Sequence, residues 1–203
     1  VIGTLATEAG RQGIITYMMT PDKDYGQLVS DKVFMYRPKH TGGFEVMGVD
    51  EVKAKFDIQS PAQVIDMLGL MGDSSDNIPG CPGVGEKTAQ KLIAEFGSIE
   101  NLLEHTDQLK GALKTKVETN REMITFSKFL ATIKIDVPIQ LDMDSLVREQ
   151  ADEDSLRQIF EELEFRTLID RVLKKENAGN GITTPTGNKT AAEKSNLLSL
   201  IHI

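Results

Sequence analysis

The spacing of apolar and polar positions divides the chain into an α/β first part and a helical second part. The opening segment VIGTLATEAG has helical periodicity, and GIITYMM (residues 13–19) is a short, nearly continuous apolar run. Such a run is typical of a strand buried on both faces of a parallel sheet. VFMYRP and GFEVMG, on either side of a Lys-His-Thr-Gly turn, predict a later strand and a hairpin arm. Residues 1–59 are therefore predicted to be part of a parallel-sheet α/β core.

From Ser60 onward the apolar positions recur at helical spacing. Ser60 can cap a helix that has Pro61 at its first position. A second helix is predicted from about 86 to 96, ended by Gly97, and Ser98 can cap a short third one. Further amphipathic helices are expected within 110–131 and around 156–163. The apolar stripes that carry these predictions are Val64, Ile65, Leu68 and Met71, then Ala89, Leu92, Ile93 and Phe96, then Leu156, Ile159, Phe160 and Leu163.

The two ends of the sequence have a different character. After Lys175 the chain becomes polar and glycine-containing without periodicity, which predicts a flexible linker over 176–197. LSLIHI, residues 198–203, resembles one reading frame of a transposon-end adapter and is interpreted as a sequencing scar. Because the chain starts at Val1, without methionine and inside an apolar stretch, we expect it to be a fragment of a longer protein.

Composition and charge narrow the class of protein. With 203 residues, 39% hydrophobic and 27% charged, the chain has a globular composition and no apolar run of membrane-spanning length. The single cysteine, Cys81, cannot form an internal disulfide, which favours a reducing cytoplasm. A net charge of -8 argues against a protein that coats nucleic acid with its whole surface. Residues 108–134, however, carry a local charge of +4, compatible with one phosphate-bearing partner or with a merely solvated helix face.

Two pairs of acids suggest metal chemistry. Asp22 and Asp24 follow the predicted buried strand, at the sheet edge where ligands gather in open parallel sheets. Asp73 and Asp76, spaced i and i+3, would point to one side of a helical turn. Two carboxylates about 4 Å apart repel by roughly 4 kcal/mol at an effective dielectric near 20, so converging pairs need a counter-charge.

Mg²⁺ or Mn²⁺ would supply that counter-charge, because these hard cations prefer oxygen ligands. A pair of such ions can activate water and stabilise the leaving oxygen of a phosphodiester, which is a nuclease arrangement. The structural alternative remains open for each acid, since Asp22 could begin a turn and Asp73 or Asp76 could cap a helix. The three histidines, His40, His105 and His202, show no metal-ligand spacing.

The glycine-rich stretch IPGCPGVGEKTAQKLI predicts a phosphate-binding turn. Gly80, Gly83 and Gly85 let the backbone turn tightly before a helix that begins near Glu86, whose first amides are free to bind phosphate. Lys87 and Lys91, one turn apart, add positive charge. Such a site grips a nucleic-acid backbone without reading its sequence. A plain connection between two helices is the structural alternative.

A nucleotide-binding P-loop must also be considered, because residues 80–88 nearly match G-x-x-x-x-G-K-[ST]. The match fails by one inserted residue, which places Glu86 where the lysine should stand. A proline-containing turn also precedes the stretch instead of a buried strand. We therefore expect no P-loop nucleotide hydrolase, and a non-catalytic DNA-binding module is the other alternative to a nuclease.

Three stretches together resemble the 5′-nuclease domain of bacterial DNA polymerases I, within the wider flap-endonuclease family: TPDKDYGQLVS, GDSSDNIPGCPGVGEKTAQKLI and FGSIENLLEH. The resemblance extends from Val1 to about Lys175. It implies a PIN-like parallel-sheet core, of which residues 1–59 are the C-terminal part, followed over 60–175 by an all-helical DNA-binding region with a helix-three-turn-helix motif at about 72–96. By the family pattern, the residues that resemble catalytic metal ligands are Asp22, Asp24, Asp73 and Asp76. The complete domain would bind two Mg²⁺ or Mn²⁺ ions. The residues that resemble the DNA-binding hairpin of the family are Gly83, Val84, Gly85, Lys87 and Lys91.

The resemblance also implies a partner and an activity, and the sequence departs from the family pattern in one respect. It implies metal-dependent 5′-3′ exonuclease or flap-endonuclease activity on duplex DNA with a 5′ end, nick or flap. The protein would be a cytoplasmic monomer in which the nuclease is joined to polymerase domains. A stand-alone 5′-nuclease is the alternative. The family carries further essential acids upstream, including an E-A-D-D stretch just before the segment that VIGTLA resembles, and these are absent here. We therefore expect the chain alone to be inactive or very weakly active.

Overall fold

The structure is a computed structural model that describes residues 1–39, 41–147 and 150–173. The chain divides into two compact units, Val1–Leu141 and Asp142–Ile203. The predicted linker at 176–197, the predicted scar at 198–203, the last two residues of the predicted helical region, His40 and His202 all lie outside the described residues.

The first unit begins with a helix and a small mixed sheet. Helix α1 spans Ile2–Arg11, and strands β1, β2 and β3 span Thr16–Met19, Val33–Pro38 and Phe44–Met47. The sheet order is β1-β2-β3, with β1 parallel to β2 in the register Thr16 to Val33, and β2 antiparallel to β3. The sequence predictions of a helix, a strand and a later hairpin are confirmed. A 3-10 helix, Lys23–Leu28, follows β1.

The prediction that β1 is buried on both faces is wrong for this sheet. Met18 is 3% exposed and faces the core, whereas Tyr17 and Met19 are 51% and 44% exposed. Aromatic side chains continue this open face across the sheet: the rings of Tyr17 and Phe34 stack at 5.5 Å, and those of Tyr36 and Phe44 at 4.6 Å. An apolar run does not distinguish a strand buried on both faces from an edge strand whose exposed face is also apolar, because both lack polar residues.

Helices build the remainder of the first unit. They are α2 (Val49–Phe56), α3 (Val64–Met71), α4 (Glu86–Phe96), α5 (Ile99–Glu104), α6 (Gly111–Thr119) and α7 (Arg121–Ala131), with short 3-10 helices at Pro61–Gln63 and Thr106–Gln108. The bounds predicted for α4 and the caps predicted for α4 and α5 are confirmed: Gly97 has φ +78°, and the Ser98 hydroxyl accepts the Asn101 amide at 3.2 Å.

One core joins the sheet to these helices. Met35 of β2, Phe56 of α2, Leu68 of α3 and Ile93 of α4 belong to the same buried cluster. Helix α3 lies at its centre, since Val64, Met67, Leu68 and Leu70 are all fully buried. The one-sided stripe predicted for α3 is therefore wrong, because a helix surrounded by neighbours buries more than one face.

A buried hydroxyl connects α7 to the glycine-rich turn. The Ser127 hydroxyl is fully buried and accepts the Gly80 amide at 2.9 Å. In Ser127→Ala the Gly80 amide loses this partner, and we expect the free energy of unfolding to fall by about 1–3 kcal/mol, the cost of an unpaired buried donor. Urea unfolding measures this change. Thr125→Ala, on the exposed face of the same helix, should stay within about 0.5 kcal/mol of the parent chain, and equal losses in the two variants would contradict the prediction.

The described part of the second unit is a short helical segment. Helix α8 spans Glu153–Glu162, where the carboxylate of Asp152 accepts the Ser155 amide at 3.0 Å, and a short helix at Arg166–Leu168 continues as π-helical Ile169–Leu173. The predicted helix is confirmed, although Ile159 of its apolar stripe is 48% exposed. Over the described residues of both units, no helix combines the length and apolar character needed to cross a membrane.

Candidate metal centre and nucleic-acid interface

The first acidic element is the segment that leaves β1. The Asp22 carboxylate accepts the Asp24 amide at 3.0 Å and so caps the 3-10 helix Lys23–Leu28. Asp22 itself is exposed, whereas Asp24 is only 8% exposed. The turn-forming role that the sequence left open for Asp22 is therefore present, and it fixes the backbone that presents Asp24.

The second acidic element is a tight turn between α3 and α4. Asp73 and Ile78 exchange both backbone hydrogen bonds, at 2.9 and 2.8 Å, and Asn77 closes the turn at φ +56°. The expected helical turn for Asp73 and Asp76 is therefore wrong. Asp73 also accepts the Ser75 amide at 2.9 Å, which orients its carboxylate.

The two elements meet in one acidic cluster. Carboxylate oxygens of Asp24, Asp73 and Asp76 lie within 4.8 Å of one another, and Asp22 is not among this group. Asp24 and Asp73 are each 8% exposed, and Asp76 is exposed. One Asp24 oxygen, Oδ1, is buried without a hydrogen-bond partner. Three carboxylates at this spacing offer the oxygen ligands that a hard divalent cation prefers.

Lys23 provides a positive charge inside the cluster. Its ammonium donates to Asp73 and lies 3.6 Å from Oδ1 of Asp24. Hydrogen bonds from Lys23 and Ser75 lower the pKa of Asp73 to about 2. Burial raises the pKa of Asp24, with Lys23 opposing this effect and the neighbouring carboxylates adding to it. The two acids therefore differ in how well their negative charge is compensated, and Asp24 has the greater need of a cation.

Replacing Lys23 should make the stability of the chain depend on divalent cations. In Lys23→Met the Asp73 carboxylate loses a charged donor, and we expect the free energy of unfolding in EDTA to fall by about 1–3 kcal/mol. A divalent cation that binds the folded cluster should restore part of this loss. Thermal unfolding with EDTA, Mg²⁺ or Mn²⁺ measures both effects.

Lys39→Met is the matched control, since Lys39 is exposed and has the same charge. Its unfolding should change little in EDTA, and added cation should not affect it more than the parent chain. An identical cation response in both variants would contradict the placement of Lys23 within a cation site.

Gln27 was missed at the sequence level, although it connects the acidic cluster to α7. Its amide nitrogen donates to the Asp24 carbonyl at 3.0 Å and the Ala131 carbonyl at 2.9 Å, and its oxygen accepts the Ile133 amide at 2.8 Å. Because Ala131 and Ile133 lie more than 100 positions away along the chain, no local pattern could reveal these two contacts. Gln27 thus holds the 3-10 helix of Asp24 against the end of α7.

The glycine-rich turn leads directly into α4. Gly80 and Gly83 have φ of +64° and +77°, while Gly85 is extended and an added Cβ there would meet nothing within 4 Å. The backbone before α4 is therefore open on this side, and the first amides of the helix have no intrahelical acceptor. Lys87 and Lys91 are exposed on α4. Helix α3 and a turn precede the loop instead of a strand, which agrees with the expectation of no P-loop.

Val84 is buried, whereas the other residues predicted to bind DNA are exposed. Its side chain is 4% exposed within the core, and its amide donates to the Cys81 carbonyl at 2.9 Å. Both groups are used within the protein, so they anchor the turn, and the DNA contact predicted for Val84 stays a prediction. The residue holds the turn onto the core while its glycine neighbours stay open.

Most cations of the basic segment 108–134 are used within the protein. Lys128 bridges Asp66 and Glu100 at 2.6 and 2.7 Å, and the Arg121 guanidinium donates to the Leu103 carbonyl. Lys114 pairs with Glu118 at 3.8 Å and Lys134 with Asp136 at 2.7 Å. Among the described residues, the cations of this segment without a carboxylate partner within 4 Å are Lys110, Lys116 and Arg121, and Arg121 is occupied by the Leu103 carbonyl. The local charge of +4 therefore overstates the charge available to a ligand.

Comparison with known protein families gives a match over the helical part of the chain. Residues 59–154 match the family described as 5'-3' exonuclease, C-terminal SAM fold. The chain is 43% identical over 174 residues to DNA polymerase I of Bacillus subtilis, which covers 85% of this chain and 20% of that protein. It is 41% identical over 170 residues to the thermostable DNA polymerase I of Thermus filiformis, covering 83% and 20%. The chain thus spans about a fifth of the length of the curated relatives it matches.

Solved structures support the fold. A zinc-bound T5 5'-exonuclease superposes with a TM-score of 0.56 at 21% identity, covering 64% of this chain and 48% of that one. A bacteriophage T5 flap endonuclease in a complex with DNA and metal ions gives 0.55 at 22% identity, covering 64% and 47%. The mixed α/β fold, with its small parallel-containing sheet and many helices, is therefore the fold of these nucleases, as the sequence predicted.

Proposed function

We infer that this chain belongs to the 5′-3′ exonuclease family, and we propose that it forms part of a nuclease domain that hydrolyses phosphodiesters at 5′ ends or flaps of duplex DNA. The observation that carries the proposal is the convergence of Asp24, Asp73 and Asp76 on one point beside a glycine-rich turn. Clustered carboxylates suit divalent metal, and an open turn before a helix suits a phosphate backbone. One segment of chain, residues 72–87, contributes to both.

We propose Mg²⁺ or Mn²⁺ as the cation, with two ions in the complete domain. The ions, when bound, would activate a water molecule and stabilise the leaving oxygen of the phosphodiester. Asp24, Asp73 and Asp76 would hold them, and the exposed Asp22 would contribute a further oxygen from its solvent side. The buried Asp24 Oδ1 supports this assignment, since it accepts no hydrogen bond and has only the Lys23 ammonium at 3.6 Å, which leaves it able to bind a further cation.

Residues of the chain itself would orient the DNA and the ligands. Gly83 and Gly85 would let the phosphate backbone approach α4, where Lys87 and Lys91 would add charge without reading sequence. Lys23 and Gln27 would keep Asp73 and Asp24 in place through the contacts described above. The cut would then fall at a fixed distance from the gripped duplex, since the acidic turn and the DNA-binding turn share one rigid segment.

The wider context is proposed from the relatives. Because the relatives that match are DNA polymerases I of which this chain covers about a fifth, we propose that it acts as a monomeric cytoplasmic nuclease module joined to polymerase domains. Within it, residues 1–59 would be the C-terminal part of the nuclease core. Residues 60–175 would be the DNA-binding region, with a helix-three-turn-helix at about 72–96.

A chimera tests the proposed activity. Residues 1–173 of this chain would replace the matching segment of the Bacillus subtilis relative, and the purified protein would be given duplex DNA with a labelled 5′ flap. We expect cleavage that requires Mg²⁺ or Mn²⁺ and stops with EDTA. Duplex binding that weakens with salt but is never followed by cutting would instead favour the non-catalytic DNA-binding module.

A further inference from the structure

We propose that Lys116 of α6 is a phosphate-binding residue, and that the exposed face of α6 extends the DNA-binding surface beyond the Gly83–Lys87 turn. This inference rests on the proposed function, because the ligand is the backbone of the same duplex. It adds a second element to the contact, from a helix that begins more than 20 residues after the turn.

The first support is the position of Lys116. Its ammonium donates to the Gly83 carbonyl at 3.4 Å, and a Cβ added to Gly83 would lie 2.6 Å from that nitrogen. The backbone of α6 is held close by, since the Cys81 thiol contacts the Lys116 carbonyl at 3.8 Å and Val117 is fully buried. The positive charge therefore lies beside the turn that precedes α4, on the exposed surface.

The second support is the charge that remains available. Lys114 and Lys128 in the same basic segment are paired with carboxylates, whereas Lys116 has only the neutral Gly83 carbonyl as a partner. One carbonyl leaves two of the three ammonium donors free for another acceptor. Together with Lys87 and Lys91, Lys116 is thus a cation available to phosphate around this turn.

The third support is the shape and chemistry of α6 beside Lys116. A shallow depression on this face is lined by Ala112, Thr115, Lys116, Thr119 and Asn120. Apart from Lys116 the lining side chains are uncharged, so a phosphodiester strand could approach closely without meeting an acid among them. Hydroxyl groups such as those of Thr115 and Thr119 are donors that commonly bind phosphate oxygens. A strand leaving the turn would therefore meet a surface that can accept its next phosphates.

Salt-dependent DNA binding by this chain tests the inference. Fluorescence anisotropy with a labelled duplex of arbitrary sequence would be measured over a KCl series for the parent chain, Lys116→Met, Lys116→Arg and Lys114→Met. We expect Lys116→Met to bind about threefold to tenfold more weakly at low salt and to lower the slope of log affinity against log salt by about 0.9, the value for one lost phosphate contact. Lys116→Arg should keep the slope.

Lys114→Met is the control for net charge, since it removes the same charge from the same helix at a residue paired with Glu118. It should leave the slope unchanged. If both methionine variants change the slope equally, the inference is overturned while DNA binding, and with it the proposed function, stands. If the parent chain binds no duplex at low salt, the inference falls together with its premise.

Discussion

Alanine at Asp73 is expected to abolish metal-dependent cleavage by the chimera while leaving duplex binding intact. Asp73 is 8% exposed, its oxygens lie within 4.8 Å of those of Asp24 and Asp76, and Lys23 keeps it ionised. Losing one cation ligand should remove about 4 kcal/mol of transition-state stabilisation, equivalent to a rate lower by about three orders of magnitude. Single-turnover cleavage of the labelled flap substrate at saturating Mg²⁺ measures the rate.

The controls separate the metal site from the DNA contact and from net charge. Asp76→Ala should behave like Asp73→Ala, since both carboxylates belong to the cluster. Asp50→Ala removes the same charge from an exposed position in α2 and should cut at the parent rate. Anisotropy with the uncut duplex should give similar affinities for all three variants. Full cleavage by either Asp73→Ala or Asp76→Ala would refute the assignment of the acidic cluster to metal.

Elements whose signals are local were predictable from sequence. The bounds of α4 follow from a glycine-rich entry, an amphipathic stripe and Gly97 in the left-handed region, all between Gly80 and Gly97. The cap of α5 by Ser98 is of the same kind. Where prediction failed, the pattern was ambiguous: an apolar strand such as β1 has the same composition at a sheet edge as in its middle, and the i and i+3 spacing of Asp73 and Asp76 suits a turn as well as a helix.

The candidate metal site was likewise predictable only in part. That acids after β1 and acids after α3 converge could be expected from their types and order, and the structure brings Asp24, Asp73 and Asp76 together. The groups that orient them could not be expected, because Lys23 reaches Asp73 across 50 positions and Gln27 reaches Ala131 across 104. Such contacts depend on how the helices pack, and no local spacing encodes that packing.

The close approach of Gly72 and Gly80 is the feature of this site that should tolerate substitution least. A Cβ on Gly80 would lie 2.3 Å from the Gly72 nitrogen and 2.7 Å from its Cα, both backbone atoms that cannot rotate away. Gly80 also has φ +64°, and Ser127 accepts its amide. These two glycines flank the turn that carries Asp73 and Asp76, so a shift between them must move the acids.

Gly80→Ala is therefore expected to lower the free energy of unfolding by about 3 kcal/mol or more, combining left-handed strain with overpacking against backbone. Gly97→Ala provides the matched control, since Gly97 has φ +78° but open space around its missing Cβ. It should lose only about 1–2 kcal/mol from strain. Urea unfolding measures the loss in free energy of unfolding for both variants. The difference between the two losses is the steric part of the Gly80→Ala effect. Equal losses would mean that the turn relaxes around a methyl group, and the rigid spacing proposed between the acidic cluster and the DNA-binding turn would then lose its structural basis.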